Sequence, residues 1–112
     1  MDTILNNLNQ SSEIVGSLIV GRDGLVIASN VPEGVNAELI GAMVAGVFTS
    51  AESSMEELRQ GEVQIVMIEG EKGKVILCDA GAILVVLLDE VKNLGLVRLE
   101  VKEAVNKLKE LL

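Results

Sequence analysis

The run Ala82-Ile83-Leu84-Val85-Val86-Leu87-Leu88 carries no polar side chain at any position. It is far shorter than the roughly 18 residues that span a bilayer. Turn residues bound it, Asp79-Ala80-Gly81 before and a polar loop from Asp89 to Asn93 after, so it reads as a strand. Successive strand side chains point to opposite faces, and this strand therefore offers apolar groups to both sides of its sheet. Val63-Gln64-Ile65-Val66-Met67-Ile68 shows the same character. An antiparallel sheet with one wet face would alternate apolar and polar residues. Both faces of this sheet must therefore be covered, which calls for helices on each side.

The rest of the chain supplies those helices. Ile4, Leu5 and Leu8 give helical spacing over Met1 to Gln10. Strands follow from Ile14 to Gly21 and from Leu25 to Ser29, joined through Arg22-Asp23-Gly24. Asp-Gly between two β-rich runs marks a hairpin, because glycine accepts the positive φ of a tight turn. Gly21-Arg22-Asp23-Gly24 is not a phosphate-binding loop, since no Lys-Ser/Thr closes it and a strand rather than a helix follows. Val31-Pro32-Glu33-Gly34 breaks the pattern, and a long helix is expected from Asn36 to Arg59. Asn36 is its N-cap, Gly61 its stop, with Glu38 in the first turn and Arg59 in the last. Strands over Glu62–Glu69, Lys74–Cys78 and Ala82–Leu88 are joined by short turns. A final helix runs from Leu94 to the C-terminus, its expected apolar face being Val97, Val101, Ala104, Val105, Leu108 and Leu111 or Leu112. The order α-β-β-α-β-β-β-α defines an α+β fold. Its sheet is antiparallel apart from the crossover made by the long helix, within one domain over residues 1–112.

Composition narrows the chemistry. The chain has no His, Trp or Tyr, and one each of Phe, Cys and Pro. That excludes His-based triads and His-containing zinc sites, internal disulfides and aromatic base-stacking platforms. Acidic residues outnumber basic ones 17 to 9, a net charge of −8. A field of that sign opposes nucleic acid and anionic membranes. The N-terminus lacks the basic and long apolar regions of a signal peptide, and the lone Cys78 suits a reducing compartment, so a cytoplasmic location is expected. The pairs Glu56-Glu57, Glu69-Glu71 and Asp89-Glu90 lack calcium-loop spacing and read as solvated charge. No cofactor, metal or catalytic residue is expected.

The long helix is more apolar than one sheet requires. At about 100° per residue, Asn36, Leu39, Ile40, Met43, Val47, Ser54 and Leu58 cluster as the expected sheet-facing stripe. Beside it Gly41, Val44, Phe48, Ala51, Met55 and Leu58 are spaced 3, 4, 3, 4, 3, the seam spacing of a helix against a helix. Gly41, Ala42, Ala45 and Gly46 suggest a close approach to the backbone, since a helical glycine costs about 1 kcal/mol against alanine. The second stripe is met either by the same helix of a second copy or by the first or last helix of this chain. Glu38, Thr49, Glu52, Ser53 and Glu56 lie on the outer side.

Taken together, several stretches resemble the dynein light chain roadblock family. They are Val15-Gly16-Ser17-Leu18-Ile19-Val20, Asp23-Gly24-Leu25-Val26-Ile27-Ala28-Ser29-Asn30, Ile40-Gly41-Ala42-Met43-Val44-Ala45, Glu57-Leu58 with Gly61-Glu62, and Asn93-Leu94-Gly95-Leu96-Val97-Arg98. The resemblance implies a five-stranded antiparallel sheet with the long helix on one face and the terminal helices on the other. It implies a homodimer with the long helices side by side and the strand after the long helix paired to its symmetry mate. The expected dimer interface is Gly41, Val44, Ala45, Phe48, Ala51 and Met55, with Val63, Ile65, Val66, Met67 and Ile68 from that strand. No Lys or Pro guards Val63 to Ile68, as befits an edge that is normally paired. The resemblance also implies a platform that regulates or scaffolds a small Ras-like GTPase, contacted through Glu38, Thr49, Glu52, Ser53 and Glu56. Of the arginines, Arg22 is expected in a hairpin turn away from the long helix and Arg98 on the last helix, leaving Arg59 nearest that surface. A small-ligand sensor and a structural dimer in a transport or motor complex are the alternatives. The single aromatic weighs against a ligand pocket.

Overall fold

The computed structural model describes residues 1–89 and 93–112. Helix α1 spans Asp2–Asn9, strand β1 Ile14–Val20 and strand β2 Val26–Asn30. Helix α2 spans Ala37–Glu57 and is followed by β3 Ile65–Glu69, β4 Lys74–Ala80, β5 Ala82–Leu88 and helix α3 Leu94–Leu111. The polar loop expected over Asp89–Asn93 falls partly on residues 90–92, as does the Asp89-Glu90 pair, and those residues lie outside the described ones.

The strands form one five-stranded sheet in the order β2-β1-β5-β4-β3. The all-apolar strand β5 is its centre, with Val85 opposite Leu18 of β1 on one side and Leu77 of β4 on the other. Every pairing is antiparallel. The α2 crossover carries the chain from one sheet edge, β2, to the opposite edge, β3, and so creates no parallel pair.

Alternation along the strands splits the core in two. Ile19, Ile76, Cys78, Leu84 and Val86 point to one face and pack under Leu5 and Leu8 of α1 and Val97, Val101, Ala104 and Leu108 of α3. Leu18, Val20, Leu77, Ile83 and Val85 point to the other and pack under Val44 and Phe48 of α2. Buried Ser17 sits beneath α1, where its hydroxyl lies 2.7 Å from Asn9 Oδ1 while Asn9 Nδ2 donates to the Asn30 carbonyl at 2.8 Å. That chain of polar contacts fixes α1 over β1 and β2.

Local chemistry sets the element ends. In the β1–β2 turn Gly24 adopts φ +88°, and the Asp23 carboxylate accepts the Leu25 N–H at 3.0 Å. Asn36 caps α2 by accepting the Leu39 N–H at 3.1 Å, and Asn93 caps α3 through the Leu96 N–H at 3.0 Å. Helix α2 stops at Glu57, earlier than its sequence suggests. Arg59 is the left-handed residue of the stop, at φ +56°. Its N–H bonds the Glu56 carbonyl at 3.0 Å and the Gln60 N–H bonds the Met55 carbonyl at 2.9 Å, a Schellman pattern. Arg59 is therefore outside the last turn, which holds no basic residue. Among the described residues no helix is long and apolar enough to cross a membrane.

Candidate interaction surface

Helix α2 turns a different side to the sheet from the one its periodicity suggests. Gly41, Val44, Ala45 and Phe48 are buried against the chain's own sheet, and Ala51 and Met55 are half-buried in the same core. These six residues, expected at a seam with a second copy, form the intrachain contact. The expected sheet-facing residues Leu39, Met43 and Val47 instead point outward, 56, 60 and 39% exposed.

The physical reason lies at Gly41. A Cβ there would meet the Gly24 carbonyl oxygen at 2.9 Å and Val26 Cγ2 at 3.0 Å. The β1–β2 turn thus presses on α2 at a point where only glycine fits, and this sets the helix's rotation. Phe48, the one aromatic side chain, then falls inside. The close approach expected of a second helix is, at Gly41, the approach of a hairpin. Gly46 differs, because a Cβ there would meet nothing within 4 Å. It lies on the outward stripe with Leu39, Met43, Val47, Ser50 and Ser54, all exposed.

Strand β3 is an edge strand. Val63 precedes it and is buried under α2. From the pairing with β4, Ile65 and Met67 share the α1/α3 face with Cys78 and Ile76. Val66 and Ile68 share the α2 face with Leu77 and Val75. Ile65 and Ile68 are 44 and 43% exposed, while Val66 and Met67 are half-buried. Of the β3 side chains, Ile68 is thus the one both exposed and on the α2 face.

The polar positions on α2 are not equivalent. Glu38, Ser53 and Glu56 are exposed. Thr49 is half-buried, and its hydroxyl donates to the Ala45 carbonyl at 3.0 Å. Glu52 is engaged within the chain, with Oε2 lying 3.3 Å from Arg22 Nη2. The same guanidinium reaches Asp79 at 3.4 Å, donates to the Gly81 carbonyl at 2.8 Å and lies 5.6 Å from the Phe48 ring centroid. The hydrogen bond to Glu52 pushes the Arg22 pKa up further. Arg22 is therefore packed against the long helix, not away from it, and ties the β1–β2 turn, α2 and the β4–β5 turn together. No periodicity links residues 22, 52 and 79, so sequence spacing gave no sign of this cluster.

Burial pushes the Cys78 thiol up to about 11. Among the described residues no three metal-ligating side chains converge. The α2 surface offers shape, apolar area and carboxylates rather than chemistry.

Four likenesses accompany this geometry. The family model described as Roadblock/LC7 domain matches residues 1–88. The uncharacterized protein MJ0310 of Methanocaldococcus jannaschii is 49% identical over 110 residues, covering 97% of this chain and 96% of that protein. MglB of Myxococcus xanthus superposes with a TM-score of 0.92 at 22% identity, covering 97% of this chain and 91% of that one. A Roadblock/LC7 domain from Streptomyces avermitilis gives a TM-score of 0.90 at 19% identity, covering 98% and 95%. At these identities the solved structures speak for the fold.

Proposed function

The chain belongs to the Roadblock/LC7 domain family, and from that premise we propose that it is a homodimeric platform that regulates or scaffolds a small Ras-like GTPase in the cytoplasm. It does so as one domain over residues 1–112 and without an active site of its own. The observation that carries this reading is the outward stripe of α2. Its inner side already fills the core, yet Leu39, Met43 and Val47 stand exposed in a row beside Gly46, where nothing approaches. Exposed large apolar residues aligned on one helix mark an interaction surface.

The seam of the proposed dimer is accordingly Leu39, Met43, Gly46 and Val47, joined by the unguarded β3 edge. Pairing β3 with its copy would satisfy the open backbone groups of that edge. Glu38, Ser53 and Glu56 remain on the flank of α2 for a GTPase. Glu52 serves instead to hold Arg22, and Thr49 to bond its own helix. Arg22 is tied by two carboxylates and Arg59 lies past the end of α2 beside Glu52 and Glu56; any stimulation of hydrolysis would act by reshaping the GTPase's own loops.

The test is capture of small GTPases by the immobilised chain from lysates loaded with GTP or with GDP. A Ras-like GTPase retained by the wild type and lost with Glu38→Lys plus Glu56→Lys, at unchanged dimer content, is the expected result. Retention unaffected by the two reversals would move the contact elsewhere. No GTPase in either nucleotide state would remove the reading.

A further inference from the structure

On the α1/α3 face the helices leave one strand partly bare. Helix α1 packs over β1 and β2, and α3 over β4. Strand β3 is the least covered on that face: Met67 is half-buried against the core, but Ile65 stands 44% exposed at the strand's start. A groove of about 490 Å³ runs between the β3 end and α3.

The wall of this groove is a single stripe of α3. Arg98, Val101, Lys102, Val105 and Lys109 line it, and the rise along the helix from Arg98 to Lys109 is about 16 Å. Ile65, Val101 and Val105 make its floor apolar. Its rim is basic, although the chain as a whole carries −8. Arg98, Lys102 and Lys109 are three of only nine cations. Among the described residues none of the three makes an ion pair within the chain. Of the two acids at the groove, Glu62 and Asp79, the latter is already held by Arg22.

We infer that this groove docks an acidic amphipathic helix of a partner protein, its apolar stripe on Ile65 and Val105 and its carboxylates against Arg98, Lys102 and Lys109. The groove fits a helix in three respects. A helix laid beside α3 sits about 8–10 Å from it, which places it over β3. The stripe is long enough for about three helical turns. The rim selects negative charge, because three cations gather there on an otherwise acidic chain. This surface lies on the opposite face of the sheet from α2, so it stands independently of the GTPase reading.

The probe is a fluorescein-labelled peptide of about 14 residues, with Leu and Ala on one helical face and Glu flanking it. Controls are the same peptide with Lys in place of Glu, and a scrambled order of the acidic one. Fluorescence anisotropy with the full chain should show binding of the acidic amphipathic peptide alone, weakening as salt rises. Arg98→Glu with Lys102→Glu should lower its affinity at least about tenfold, and Lys102→Gln with Lys109→Gln should lower it less. Both pairs are exposed, and far-UV circular dichroism verifies the fold. Glu56→Lys, on the other face, should change nothing. Equal binding of the scrambled peptide, or affinity unmoved by either double substitution, overturns the proposal. So does absence of peptide binding, whether or not the charge reversal shifts the elution volume of the free protein; a shift would assign the groove to a second copy of this chain.

Discussion

Two glycines of one helix have opposite consequences. At Gly41 an added methyl group would meet the Gly24 carbonyl oxygen at 2.9 Å, and that oxygen belongs to a turn pinned by its own hydrogen bonds. Gly41→Ala is therefore expected to destabilise the chain despite the better helix propensity of alanine. At Gly46 the space is open, and Gly46→Ala should stabilise a monomeric background such as Met43→Glu by about 1 kcal/mol. Urea unfolding of both variants checks the difference in sign. The same scale yields a pH prediction. Buried Cys78 keeps its proton up to about 11, against an ordinary value of 9.0. Between those values the unfolded chain binds fewer protons than the folded one, so stability falls as pH rises. The expected loss, complete above the folded value, is about 3 kcal/mol. Urea midpoints measured from pH 8 to 11 should fall more steeply for the wild type than for Cys78→Ala. The caps at Asn36 and Asn93 were legible because a cap is a local chemical event. The Arg22 cluster was not, since its members meet only after three elements have packed.

At the scale of the element, α2 shows where periodicity stops being informative. Two adjoining apolar stripes were evident from the sequence, and so was their excess over what one sheet needs. Their assignment came out largely exchanged, with Ile40 alone of the expected sheet-facing apolar residues packed against the core. Periodicity gives the angle between stripes but no absolute rotation, which here is set by the contact between Gly41 and the β1–β2 turn. The element order and the need for helices on both faces were legible, because each rests on its own run of residues; which helices share a face followed from the family resemblance. The exchange alters which substitutions should do what. Phe48→Ala removes a fully buried ring and should cost about 3–5 kcal/mol, a large part of a small domain's stability of roughly 5–15 kcal/mol. Met43→Ala, on the exposed side, should cost under about 0.5 kcal/mol in the isolated chain. Thermal unfolding at dilute concentration separates the two. Similar losses for both would mean that the outward stripe is also part of the monomer's core.

The whole molecule unites the two open features, the α2 stripe and the β3 edge, on one proposed interface. That union has a consequence neither feature has alone. A helix seam would tolerate changes on β3, and an edge pairing would tolerate changes on α2, but a dimer that uses both should be weakened by either. Met43→Glu places a charge on the stripe. Ile68→Lys places one on the α2 face of the edge strand, where lysine guards natural edges against pairing. Both positions are exposed, so each variant should keep the far-UV spectrum and unfolding midpoint expected of a folded monomer. By sedimentation velocity across a dilution series, the wild type should remain a dimer where each single variant is already monomeric. The double variant should be monomeric throughout. If Met43→Glu alone dissociates the dimer and Ile68→Lys leaves it intact, the two chains meet through helices only and the sheets stay separate. If only Ile68→Lys acts, the exposed α2 stripe is free in the dimer and becomes available, with Glu38 and Glu56, as apolar contact area for the GTPase itself.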